Sequence, residues 1–228
     1  MQNPLRTFFA QILPTPFFFL YLRLFNISHD MSTLLFASHN KHKIEEIRAM
    51  IGRDYDLKGL QDMGFLGEVP EDCDTLEGNA EQKARYAYGL FGVPCFADDT
   101  GLEVDALGGA PGVYSARYAG VEGTIAQCSE ANMQKLLACL EGVDNRRARF
   151  RTIVCFFDGT APLFFEGRVE GCITTEKHGT GGFGYDPVFM PEESGRTFAE
   201  MSLDEKNRIS HRARAFARFR QFLGTYGK

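Results

Sequence analysis

Apolar positions along the chain repeat with two different periods, and the switches between them mark out the elements. Residues 33–37 (TLLFA) form a short continuous apolar run, which predicts a buried strand. A polar loop, SHNKHK at 38–43, follows it. Ile44, Ile47 and Ile51 then recur at helical spacing, with Glu45, Glu46 and Arg48 on the other side. Residues 55–59 read as a second strand and 64–74 as a loop carrying Glu68, Glu71, Asp72 and Asp74. Helical spacing returns at 79–91, where Ala80, Ala84, Ala87 and Leu90 or Phe91 fall on one side of a helix that also carries Lys83 and Arg85. Pro94 ends that helix and leads into an apolar strand from Cys95 to Asp99. Residues 132–140 predict an amphipathic helix. The runs 152–157 and 163–169, separated by Asp158 and Gly159, predict a hairpin. A strand is expected at 187–190 and helix over the remainder, opened by the capping pair Ser202 and Glu205.

Two stretches break this regularity. The first, FADDTGLEVDALGGAPGVYSARYAG at 96–120, carries adjacent carboxylates at Asp98 and Asp99, then Thr100 and Gly101, which read as turn chemistry. Neighbouring side chains of a strand point to opposite faces, so the two aspartates cannot both face one ligand while the backbone stays extended. One should face a site and the other hold backbone or a loop. A carboxylate at a strand end suits a metal ligand or general base, and equally a polar turn. The second stretch, GTGGFGYDPVFM at 179–190, packs glycines around Phe183, Tyr185 and Asp186. A ring beside a carboxylate can stack on a nucleobase and accept its N–H groups, and the same residues also make a tight turn with packed aromatics.

Net charge of −5 argues against a broad nucleic-acid-binding face but not against a basic pocket for a small anion. The loop at 38–43 is such a candidate: it offers Ser38, Asn40 and Lys43 where a strand ends and a helix begins, although it lacks the P-loop pattern. The arginines at 146, 147, 149 and 151 lead into a strand and read mainly as structural. The six cysteines show no C-x-x-C spacing, which fits reduced thiols and a cytoplasmic protein. Residues 1–30 differ in composition from the rest. Pro14, Pro16 and Arg23 interrupt their apolar run, so it reads as an extension outside the fold, with a single domain over 31–228 and a membrane anchor as the minor alternative.

Four segments in order, FASHNKHK at 36–43, the 96–120 stretch, GTGGFGYDPVF at 179–189 and EKNRISHRARA at 205–215, resemble the inosine/xanthosine triphosphate pyrophosphatase family. His39 stands where that family frequently has glycine. The resemblance implies an α/β fold: a long bent mixed β-sheet flanked by helices, with two lobes and a nucleotide cleft between them. It implies Mg²⁺-dependent cleavage of deaminated purine nucleoside triphosphates (ITP, dITP, XTP) to monophosphate and pyrophosphate, in a homodimer. Residue by residue, it places Ser38, His39, Asn40, Lys41, His42 and Lys43 at the substrate, with Lys83 as a helper. Glu71 and Asp99 would hold Mg²⁺, Asp99 would also orient or deprotonate the attacking water, and Thr100 would touch substrate. Phe183, Gly184, Tyr185 and Asp186 would hold the base, Lys206 would reach base or phosphate, and His211 and Arg212 would read the purine edge. The alternatives are a related pyrophosphatase acting on pyrimidine or modified nucleotides, and a non-catalytic nucleotide sensor.

On one unbroken helix Lys206 and Arg212 would point roughly 240° apart. For both to face one ligand, the helix must stop near Arg208 or Ile209 and restart, with Ser210 as the second N-cap.

Overall fold

The computed structural model describes residues 32–51 and 55–226; the extension at 1–30 lies outside the described residues. The expected strands β1 (Ser32–Phe36) and β2 (Tyr55–Gly59) form, and helix α1 (Lys41–Ile51) joins them by packing Ile44, Ile47 and Ile51 against the sheet. Helix α2 (Leu76–Phe91) starts three residues earlier than its periodicity suggests, because Thr75 caps it by accepting from the Gly78 N–H. Gly92 ends it in the left-handed conformation, at φ 61°.

Strand β3 (Cys95–Val104) runs straight through Thr100 and Gly101, where the sequence suggests a turn. The glycine has a different purpose. β4 (Pro111–Gly112) folds back so closely that a Cβ on Gly101 would lie 2.6 Å from the Gly112 carbonyl oxygen. Gly101 therefore permits a close backbone approach, and Asp98 and Asp99 sit within a strand and not at its end.

Helix α3 (Ile125–Cys139) also begins earlier than expected, at a capping box between Thr124 and Gln127. The hairpin forms from β5 (Arg147–Phe157) and β6 (Leu163–Ile173), which pair antiparallel with Phe156 opposite Leu163. β5 is longer than its apolar run because its arginines are paired along the sheet. Arg151 bonds Glu77, Glu103 and Glu166, and Arg149 bonds Asp105. The arginine cluster is structural, as read. β7 (Phe189–Pro191) completes a seven-stranded mixed sheet of order β2-β1-β3-β5-β6-β7, with β4 on β3.

Both faces are covered by helices. Alternate residues of β3 and β5, Phe96, Val154 and Phe156, pack with α1 and with the last helix α5 (His211–Leu223). Leu102, Val104, Ala148 and Phe150 continue that face under α3. The intervening residues, Cys95, Ala97, Ile153 and Cys155, face α2. Between the two apolar clusters of the first face lie Asp98, Thr100 and Thr152, a polar interruption in a buried surface. No helix among the described residues is long and apolar enough to cross a membrane.

The C-terminal helix is broken where the ligand argument requires. Helix α4 (Leu203–Ile209) closes with the Ser210 N–H donating to the Lys206 carbonyl. Ser210 has extended backbone, and its hydroxyl accepts from Ala213 N–H to open α5.

Candidate active site

β1 pairs with β3 only at Leu35–Cys95 and Phe36–Phe96, and β4 joins the same edge of β3 at Leu102 and Glu103. Among the described residues no strand covers that edge between them. The gap lies beyond the C-terminal end of β1, a usual place for ligands in α/β sheets. It lets side chains from both faces meet. A cleft of ≈ 280 Å³ opens there, lined by Ser38, His39, Lys43, Glu71, Lys83 and Asp98 among others.

Asp98 projects toward α1, and Lys43 Nζ donates to both its oxygens, at 3.0 and 3.1 Å. Arg212 Nε lies 3.9 Å from the same carboxylate. Burial pushes this carboxyl up, but Lys43, Arg212 and Lys83 together outweigh it and hold it below its ordinary value. Asp98 is therefore an anion committed to cations.

Asp99 projects toward α2. Lys83 Nζ donates to it at 3.0 Å and Asn79 Nδ2 at 3.3 Å. The same ammonium donates to Glu71 at 2.6 Å, so Glu71 and Asp99 converge on one positive charge. Burial holds the Asp99 carboxyl above its ordinary value, and Lys83 only partly opposes this. Burial lowers the Lys83 ammonium, yet Asp99, Glu71 and Asp98 outweigh it and keep it charged.

The donor set can be tested against a divalent cation. No group of three or more acidic, histidine or cysteine residues converges among the described residues. Glu71 and Asp99 alone do converge, around the Lys83 ammonium. A pair of carboxylates completed by substrate oxygens and water suits Mg²⁺, which seldom takes an all-protein cage.

The β1–α1 loop is ordered by its own side chains. Asn40 N–H donates to Ser38 Oγ, and Asn40 Oδ1 accepts from Lys43 N–H as it caps α1. His39 Nε2 bonds the Gly67 carbonyl oxygen at 2.8 Å. The side chains of Lys41 and His42 lie outside the described part of the chain. Thr100 shares a 2.8 Å hydroxyl–hydroxyl bond with Thr152.

The glycine-rich loop brings Phe183 opposite the helix break. Its ring, 51% exposed, receives Lys206 Nζ at 4.9 Å and the Arg212 guanidinium at 5.6 Å. Asp186 does not stand free. Its Oδ2 accepts from Phe183 N–H at 2.8 Å and from Lys206 Nζ at 2.6 Å, so it ties the loop to α4. Tyr185 is buried and donates to the Ser115 carbonyl. Gly184 has φ 62°, which lets the chain turn between the two aromatics. His211 stacks on Phe150 at 4.6 Å, with Nδ1 buried and unbonded. Burial, with Arg212, Lys206 and Lys43 nearby, holds it well below its ordinary value and hence neutral. Gly167 makes room for this docking, since a Cβ there would meet the His211 carbonyl oxygen.

The site thus gathers residues from distant segments, and its relationships to known proteins can be set beside it. The Ham1 family model matches residues 34–222. The chain belongs to the Ham1 family. It is 51% identical to the dITP/XTP pyrophosphatase of Porphyromonas gingivalis over 194 residues, 85% of this chain and 98% of that protein. It is 46% identical to the dITP/XTP pyrophosphatase of Bacillus licheniformis over 197 residues, 85% of this chain and 98% of the relative. The Staphylococcus aureus Ham1 protein structure superposes with a TM-score of 0.79 at 37% identity, covering 85% of this chain and 99% of that one. A HAM1 protein from Coxiella burnetii gives 0.79 at 35% identity, covering 86% and 100%.

Two contacts of this Ham1-family site escaped the sequence reading. Glu46 accepts from Arg212 Nη1 at 3.1 Å, and Asn79 donates to Asp99. Helical spacing carries a signal for each: Glu46 is three residues from Lys43, and Asn79 four from Lys83, so each pair shares a helix face.

Proposed function

We propose that this chain is a nucleoside triphosphate pyrophosphohydrolase that converts deaminated purine triphosphates, such as ITP, dITP and XTP, to the monophosphate and pyrophosphate. The observation that carries the reading is the pairing of two cationic stations. Lys43 and Lys83 line a cleft beside Asp98 and Glu71, and Lys206 and Arg212 converge on an exposed aromatic ring. Family relatives named dITP/XTP pyrophosphatase support the substrate class.

In this reading the triphosphate lies in the cleft at the end of β1, gripped by Ser38, Asn40, Lys43 and Lys83. The base stacks on Phe183, and the sheet's two apolar clusters form the lobes either side. Glu71 and Asp99 would hold Mg²⁺, which would supply positive charge beside the phosphates. Asp99 orients a water toward the α-phosphorus and takes its proton as the bond to the β-phosphate oxygen breaks. Asn79 fixes the other oxygen of Asp99.

Arg212 donates to the 6-oxo group of the base, where a 6-amino group would leave donor facing donor. That mismatch costs about 1–3 kcal/mol. Asp186 holds Lys206 and the loop in place through Oδ2, beside the base. Residues 31–228 constitute the catalytic domain, acting in the cytoplasm as a homodimer.

Pyrophosphate release measured with Mg²⁺ over a panel of nucleoside triphosphates tests the proposal. Turnover of inosine and xanthosine triphosphates well above ATP is expected. A preference for pyrimidine triphosphates would refute it.

A further inference from the structure

His39 lines the cleft and, among the described residues, pairs with no acidic group; its partner lies 28 residues away. The Gly67 carbonyl can only accept, so Nε2 carries the hydrogen and donates. Its ring stacks on Phe65 with centroids 5.8 Å apart and planes 19° from parallel. Phe65 in turn meets Tyr86 of α2 edge-on at 6.0 Å. A chain of contacts therefore runs from the β1–α1 loop to the helix that carries Lys83.

The segment held by these contacts supplies Glu68 and Glu71 to the cleft. Before it, Phe65 N–H is tied to the Leu60 carbonyl; after it, Asp72 N–H is tied to Gln82. Between those ties, the hydrogen bonds among the described residues are His39 to Gly67 and Lys83 to Glu71. Lys83 fixes only the tip of a side chain. His39 fixes backbone. Gly67 suits this placement, since a Cβ there would come within 2.8 Å of the Phe65 ring.

We propose that His39 is a positioning residue that clamps the 66–70 backbone to the substrate-gripping loop and so sets where Glu71 stands relative to Lys43 and Asp98. The role in turnover rests on the function proposed above; the clamp itself does not. A glycine at position 39 could not supply this bond, so the histidine adds a fixed link across the cleft mouth.

Two variants separate the ring from the donor. His39→Phe keeps a ring against Phe65 and removes the N–H. His39→Gln keeps an amide N–H at similar reach and removes the ring. Amide hydrogen exchange of Phe65 and Asp72, whose hydrogen-bonded N–H groups tie down the two ends of this segment, is measured on the full chain without ligand, and KM and kcat are measured with inosine triphosphate and Mg²⁺.

One hydrogen bond corresponds to roughly a threefold to tenfold change in local opening. We expect exchange at these two amides to accelerate by about that factor in His39→Phe, with KM rising more than kcat falls, and His39→Gln to recover both. Unchanged exchange in His39→Phe, or equal exchange in the two variants, overturns the clamp. An inactive wild-type chain would instead refute the functional reading, with the exchange comparison still deciding the clamp.

Discussion

Asp98 and Asp99 are neighbours on one extended strand and answer to different helices. Asp98 is gripped through both oxygens by Lys43 of α1, whereas Asp99 is held by Lys83 and Asn79 of α2. Strand alternation forces this division. What reunites the two halves is the uncovered edge of β3 between its pairing with β1 and with β4. One carboxylate is held ionised by the cations around it, and the other has its proton affinity raised by burial.

Asp99→Asn tests that division. The substitution keeps volume and removes the charge and the proton acceptor. Turnover is expected to fall by ~10²–10⁴-fold. Substrate binding, followed by calorimetry with a non-hydrolysable triphosphate analogue, should persist. Near-normal turnover would move the base elsewhere.

Gly101→Ala should destabilise the fold. The added methyl would meet backbone of β4, which cannot move aside as a side chain could. Overpacking of this kind costs about 1–3 kcal/mol. Urea denaturation with an unchanged m-value checks it.

Ser210→Ala removes the hydroxyl that opens α5 while leaving the fold's apolar contacts intact. Loss of about 1 kcal/mol is expected. Because the cap sets the angle between Lys206 and Arg212, KM for inosine triphosphate should rise as well. Unfolding midpoints and KM, measured together, check both halves.

Buried His211 makes stability depend on pH. Its folded value is depressed below 6.5, so on acidification the unfolded chain takes up the proton first. Stability from this group is therefore complete above the unfolded value near 6.5 and is lost as pH falls from there toward the folded value, by up to about 1.4 kcal/mol per pH unit. The denaturant midpoint of the wild type should fall between pH 7 and pH 5 more steeply than that of His211→Gln.

The sequence made some of this legible and hid the rest for physical reasons. The helix break at Ser210 could be read because two constraints collided: helical rotation separates Lys206 from Arg212, while one ligand needs both. Strand alternation likewise divided Asp98 from Asp99 before any coordinates. Gly101 misled, because a glycine required for close backbone approach looks like a glycine required for a turn. The tie between Asp186 and Lys206 was hidden because it spans twenty residues. The placement of Lys83 between Glu71 and Asp99 was equally hidden, since only the packing of α2 on β3 brings the three together. The early starts of α2 and α3 were written in their caps, Thr75 and Thr124, more clearly than in their apolar spacing.

Attack at the α-phosphorus by a water held at Asp99 is the central claim, and hydrolysis of inosine triphosphate in ¹⁸O-enriched water tests it most directly. One labelled oxygen is expected in the monophosphate and none in pyrophosphate, with no orthophosphate formed. Label in pyrophosphate would place the attack at the β-phosphorus, and stepwise release of labelled orthophosphate would place it at the γ-phosphorus; either contradicts the account.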